Sequence, residues 1–86
     1  MIIVSGENLI DVFQCNNKKN YKMHIGGAGF NTALALGRLN SNIHYLSNVS
    51  KDYFGNNIFK ELKKNNIKTN LVERSEFLTA LAFVNN

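Results

Sequence analysis

Short apolar runs punctuated by glycine and asparagine clusters set the rhythm of this chain. Ile2–Ser5 is a β-rich run that stops at Gly6, the pattern of a strand covered on both faces. Leu9, Ile10, Val12 and Phe13 continue as extended chain beyond a turn, and Asn16–Asn20 is a polar connection. Tyr21–Ile25 alternates, with Tyr21, Met23 and Ile25 on one side and Lys22 and His24 on the other. That is a half-exposed strand, and with residues 10–15 it makes a hairpin. From Phe30 to Leu39 the chain lacks a broad polar face; such a helix calls for cover on most sides. Ile43–Val49 reads as the next strand. Asp52–Asn65 reads as a second helix, because Phe54, Ile58, Phe59 and Leu62 recur at helical spacing while Lys60, Glu61, Lys63 and Lys64 turn outward. Ile67 folds back on the end of that helix. Thr69–Val72 is a short strand, residues 73–78 a turn, and Thr79–Val84 a last strand.

The order β, β-hairpin, α, β, α, β, β predicts an α/β layer protein with helices crossing between parallel strands. An open sheet of this kind carries helices on both faces. Two helices are few for that, and the pattern reads as unfinished. Eighty-six residues allow one small domain, residues 1–86.

Composition narrows the choices only modestly. The 44% apolar fraction excludes simple disorder. A formal charge of +4 comes from scattered lysines, which suit solvated helix and loop faces better than a nucleic-acid surface. One cysteine, Cys15, excludes an internal disulfide, and His24 and His44 stand in different segments without a ligand set for a metal. The opening apolar run is too short and lacks the basic leader of a signal peptide, so the expectation is a cytoplasmic protein. No segment reaches membrane-spanning length.

The strongest chemical signal is Gly26-Gly27-Ala28-Gly29-Phe30-Asn31. Glycines let main chain approach a ligand, and a helix starting there exposes unpaired N–H groups. Asn31 on the first turn carries both an amide donor and a carbonyl acceptor, suited to gripping a hydroxyl. A tight turn before a well-packed helix explains the same residues equally well. A dinucleotide site is disfavoured, because Thr32 stands where the fingerprint needs its third glycine and the preceding strand is half-exposed. Asp11 lies between Ile10 and Val12, where a carboxylate is awkward without a partner; a ligand with vicinal hydroxyls would supply one, and so would plain exposure to water.

Taken together, these segments resemble the N-terminal part of the ribokinase-like, or PfkB-type, carbohydrate kinases, and most of all the fructokinases. The resemblance rests on Gly6-Glu7-Asn8-Leu9-Ile10-Asp11, on Gly26–Ala33, on Val49-Ser50-Lys51-Asp52-Tyr53-Phe54-Gly55 and on Thr79–Val84, in the family's order. It implies the N-terminal part of a three-layer α/β sandwich, with residues 12–15, 22–25 and 80–84 in a small β lid that in many members also forms a dimer contact. It further implies that Asp11 and Asn31 hydrogen-bond a sugar substrate while Gly26 and Gly27 line its pocket through their backbone. The pattern departs at Asn40, where Asn can take the left-handed conformation of a helix end. It departs also at Ser50, which is ill suited if the backbone there demands a positive φ.

The family's catalytic aspartate follows a Gly-Ala-Gly-Asp-like segment, whose N–H groups form an anion hole. In the intact family enzyme, ATP, Mg²⁺ and a monovalent cation bind in that same half. This chain has no such segment, and no Asp follows Gly29. The resemblance therefore implies a sugar-kinase fragment, inactive by itself, with no catalytic or metal-binding residue of its own. The alternative is a non-catalytic module that binds sugar or pairs with another chain, such as a C-terminal kinase half.

Overall fold

The computed structural model describes residues 1–39 and 42–84. Asn40, the expected helix-end residue, lies outside them, as do Asn85 and Asn86. Six strands and two helices follow in order: β1 (Ile2–Ser5), β2 (Leu9–Gln14), β3 (Tyr21–Gly26), α1 (Ala28–Gly37), β4 (Ile43–Ser50), α2 (Tyr53–Lys64), β5 (Val72–Ser75) and β6 (Leu81–Val84). They form two sheets. β1, β4 and β5 are parallel neighbours in that order, joined by crossovers through α1 and α2. The outer sheet has the order β3-β2-β6, with β2 antiparallel to β3 and parallel to β6. This is the expected α/β arrangement, and the chain leaves the inner sheet for the outer one twice.

Both helices lie on one face of the inner sheet. Val4, Ile43, Tyr45 and Val49 are buried there with Phe30 and Ala33 of α1 and Ile58 and Leu62 of α2. On the opposite face Ile3 is 48% and Leu46 47% exposed, so β1 is covered on one side rather than the expected two. No element among the described residues packs there. α1 meets the sheet on one side and buries only Gly29, Phe30 and Ala33, short of the cover expected on most sides, and Leu39 beyond it is 85% exposed.

α2 matches its sequence pattern, and its end shows why Ile67 returns. Asn66 takes a left-handed conformation (φ 62°) and the Ile67 N–H donates to the Leu62 carbonyl at 3.0 Å. That places Ile67 in the core.

Two strand boundaries move. The strand expected at Thr69–Val72 is Val72–Ser75, and residues 73–75 are not turn. Their polar side chains conceal the strand, which exists because Asn48–Ser50 offers a free ladder to Glu73–Ser75. The Arg74 guanidinium then donates to the Val49 and Ser50 carbonyls at 3.1 and 2.9 Å and stacks on Phe59. The last strand starts at Leu81 instead of Thr79, because Thr79 is engaged by Asp52.

Ser50 needs no special backbone: the positive-φ residues among those described are Gly6, Lys18, Gly27 and Asn66. Its hydroxyl accepts the Asp52 N–H at 3.0 Å.

Candidate functional site

The loop between β1 and β2 is the foundation of the glycine segment. Gly6 has φ 143°, and its carbonyl accepts from the Tyr45 hydroxyl at 2.8 Å and the Ser47 hydroxyl at 2.7 Å. Asn8 donates from its side chain to Tyr45, Ser47 and the Asn48 carbonyl. Gly29 packs directly on this loop: a Cβ there would come within 2.5 Å of the Gly6 backbone. Glu7 completes the link. Its carboxylate accepts the Ala28 N–H at 2.9 Å and its carbonyl accepts the Phe30 N–H at 3.1 Å. Its own backbone N–H and that of Ala28 hold the Glu7 carboxyl below the usual glutamate range.

This changes the expected role of the helix start. Two of the N–H groups expected to face a ligand are taken by Glu7, as a carboxylate at a helix N-terminus favours. The start of α1 is thus a braced corner, with Gly27 (φ 102°) at its cap position, where a Cβ would meet the Glu7 carbonyl at 2.6 Å.

Asp11 sits on β2 with its side chain on the opposite face from the buried Ile10 and Val12. Its carboxylate lies over Gly26, so closely that a Cβ on Gly26 would fall 2.2 Å from Asp11 Oδ2. A larger residue there would push the carboxylate out of this position. Gly27 follows directly, and Asn31 stands one helical turn on, its backbone N–H donating to the Gly27 carbonyl at 2.9 Å. Neither the Asp11 nor the Asn31 side chain makes a hydrogen bond or ion pair among the described residues. The fold therefore brings Asp11, Gly26 and Gly27 together, with Asn31 exposed beyond them. Asp11 also lines a cleft of about 570 Å³ along the outer sheet with Phe13, Gln14, Cys15, Asn16, Lys22 and His24; Asn31 is on no wall of that cleft.

A second polar hub joins the two sheets. Asp52 caps α2 by accepting the Gly55 N–H at 2.7 Å, and the same carboxylate accepts the Thr79 N–H at 2.7 Å and the Thr79 hydroxyl at 2.6 Å. Burial pushes its pKa up, but hydrogen bonds from Thr79, Gly55 and Ser50 outweigh this and hold the carboxyl below the usual aspartate range. Gly55 lets α2 press on β4, since a Cβ would lie 1.9 Å from the Ser50 carbonyl oxygen. The Asp-x-x-Gly spacing carries a local cap signal. The tie to Thr79, twenty-seven positions on, has none.

Among the described residues no three His, Cys, Asp or Glu side chains come close enough to hold a metal ion. With Glu7 occupying the start of α1, the residues there do not fit a nucleotide phosphate either. No helix among them is long and apolar enough to cross a membrane.

The chain matches known proteins along its whole length. It is 36% identical over 70 residues to a fructokinase of Rhizobium leguminosarum bv. trifolii, an alignment covering 78% of this chain and 22% of that protein. The crystal structure of an uncharacterised sugar kinase from Pyrococcus horikoshii superposes with a TM-score of 0.87 at 31% identity, covering 99% of this chain and 31% of that one. The fructokinase of Xylella fastidiosa with bound ATP gives a TM-score of 0.85 at 30% identity, covering 98% and 29%. The chain thus spans less than a third of the length of these relatives. Residues 1–86 match the description pfkB family carbohydrate kinase throughout. By that match over the whole chain, and by an α/β fold that superposes on solved sugar kinases, the chain belongs to the pfkB family of carbohydrate kinases.

Proposed function

We propose that this chain supplies the sugar-contacting side of an ATP-dependent sugar kinase of fructokinase type, and that it has no turnover by itself. Residues 1–86 are then the N-terminal part of the kinase domain, and the outer β3-β2-β6 sheet is its lid. One observation carries the reading: the Asp11 carboxylate, free of hydrogen bonds among the described residues, lies against Gly26, the first glycine of the corner. A carboxylate accepts hydroxyl hydrogens, bare glycine backbone permits close approach, and Asn31 can both donate and accept. Those are the needs of a polyhydroxylated ligand.

Phosphoryl transfer needs nucleophile, base and phosphate held in line, with the developing charge stabilised. This chain has no Gly-Ala-Gly-Asp-like segment to provide base and anion hole, and the start of α1 is taken by Glu7. ATP, Mg²⁺ and any monovalent cation belong, on this reading, to the remaining part of the kinase. A cytosolic setting goes with a reaction that draws on ATP.

Two measurements test this. In a coupled ADP-release assay with fructose, ribose and adenosine the 86-residue chain is expected to show no turnover above background; clear turnover would defeat the claim. Fructose added to the ¹⁵N-labelled chain is expected to shift amides near Asp11, Gly26, Gly27 and Asn31, and Asp11→Ala to abolish those shifts. Shifts confined to other segments would remove the site assignment.

A second reading, chain pairing, is favoured by the bare face bearing Ile3 and Leu46 and by β1 at an unpaired sheet edge. A separately supplied C-terminal kinase half would cover both, whereas a homodimer would use the outer sheet. Size-exclusion chromatography with such a half separates these outcomes by co-elution and restored turnover.

A further inference from the structure

The cleft along the outer sheet extends past Asp11. Asp11 pairs with His24 across β2 and β3, and Phe13 pairs with Lys22. Directly paired residues of an antiparallel ladder share a face, and so do residues two apart on one strand. Asp11, Phe13, Lys22 and His24 therefore stand on one face, and all four line the 570 Å³ cleft. Phe13 and His24 meet edge to face, with centroids 5.5 Å apart, and make one wall of it. The opposite face of the same strands holds Ile10, Val12, Met23 and Ile25.

The charges are arranged by end. Asp11 is the one carboxylate in the cleft, next to Gly26; Lys22 is its one permanent cation, two residue pairs further toward the hairpin tip. Two residues along a strand separate these positions by about 7 Å. Lys22 and Asp11 form no ion pair with each other or with any described residue. An ordinary hexose offers hydroxyls to the Asp11 end and an apolar ring face to Phe13, but nothing for Lys22. A sugar carrying a carboxylate or phosphate at its far end satisfies all three.

We infer that the sugar site takes an anionic sugar, with hydroxyls held at Asp11, the carbon skeleton against Phe13 and His24, and the acid group at Lys22. This rests on the proposed sugar site at Asp11 and Gly26 but moves its substrate from the neutral sugar of a fructokinase to an acid sugar. The charge of the acid group is neutralised by one ammonium in a partly open cleft, so the preference over a neutral sugar is about three- to tenfold. Salt weakens it.

The test is a ¹H–¹⁵N titration of the 86-residue chain with D-fructose, D-gluconate and D-fructose 6-phosphate, repeated for Lys22→Gln and for Lys19→Gln. Lys19 lies in the exposed hairpin connection outside the cleft. The expected result is tighter binding of one or both anionic sugars than of fructose, with the difference erased by Lys22→Gln, reduced by salt and untouched by Lys19→Gln. Whichever anion shows the larger Lys22 dependence identifies the acid group as carboxylate or phosphate. Equal affinity for all three sugars, or an equal loss for all three in Lys22→Gln, overturns the anionic preference while leaving the sugar site standing. Absence of shifts at Asp11, Gly26 and Gly27 with every sugar overturns the site itself.

Discussion

The two sheets of this protein are held by different forces. The inner sheet and its helices contribute Val4, Phe30, Ala33, Ile43, Tyr45, Val49, Ile58, Leu62 and Ile67 to the core. The outer sheet contributes Ile10 and Val12 and leaves Tyr21, Met23, Leu81 and Phe83 largely exposed. Beyond Ile10 and Val12 its place is kept by two carboxylate ties, Glu7 to Ala28 at one junction and Asp52 to Thr79 at the other, while its ladders join only its own strands. Apolar packing gives a body that resists opening. A ladder fastened by hydrogen bonds can open locally while the body stays folded. Asp11, the proposed sugar contact, thus sits on the less firmly held part, beside the glycine corner that belongs to the firm one.

The contrast can be broken most sharply in the core. Phe30 is 1% exposed, and Phe30→Ala should cost about 3–5 kcal/mol, enough to unfold so small a domain. Phe83, at 70% exposure, should give a change within about 0.5 kcal/mol as Phe83→Ala. Urea melts followed by circular dichroism compare the two, and similar losses would show the outer sheet to be packed as tightly as the body.

Asp52→Ala should come next, at about 1–2 kcal/mol, because it removes both the α2 cap and the Thr79 tie. Hydrogen exchange should then show Leu81–Val84 opening well before β4; uniform acceleration would mean the tie is not local.

Acid sharpens the same point. The folded-state pKa of Asp52 is lowered, so its contribution is fully present above the unfolded value of about 3.9 and is lost as pH falls through the lower folded value. Protection of β6 amides should therefore decline below about pH 4 ahead of β4, and Asp52→Asn should flatten that dependence.

The smallest effect belongs to Glu7→Gln, which keeps an acceptor for Ala28 but removes the charge at the start of α1. Faster exchange at Ala28 with an unchanged urea midpoint is expected; a lowered midpoint would make Glu7 part of the body's stability.

Much of this architecture was readable in advance, and the gaps have causes. The order of elements, the β2–β3 hairpin and the amphipathic α2 follow from periodicity, because each buries a repeating set of side chains. β5 lies beyond the strand its hydrophobic pattern predicts because Glu73-Arg74-Ser75 is polar and becomes strand through pairing with β4. The glycine segment pointed to a sharp corner, but that Glu7 would occupy two of its N–H groups has no local sign. The reason is distance: the contact joins residues twenty-one positions apart.

Sequence alone determined the family, the element order and the residue types offered to a ligand, since those depend on local pattern and on motif order. Tertiary structure alone decided which of them meet. Gly29 is a glycine because the Gly6 backbone, delivered by the loop between β1 and β2, occupies the space its Cβ would need. Packing of backbone against backbone across the fold is a property of three-dimensional proximity, and no window along the chain contains it.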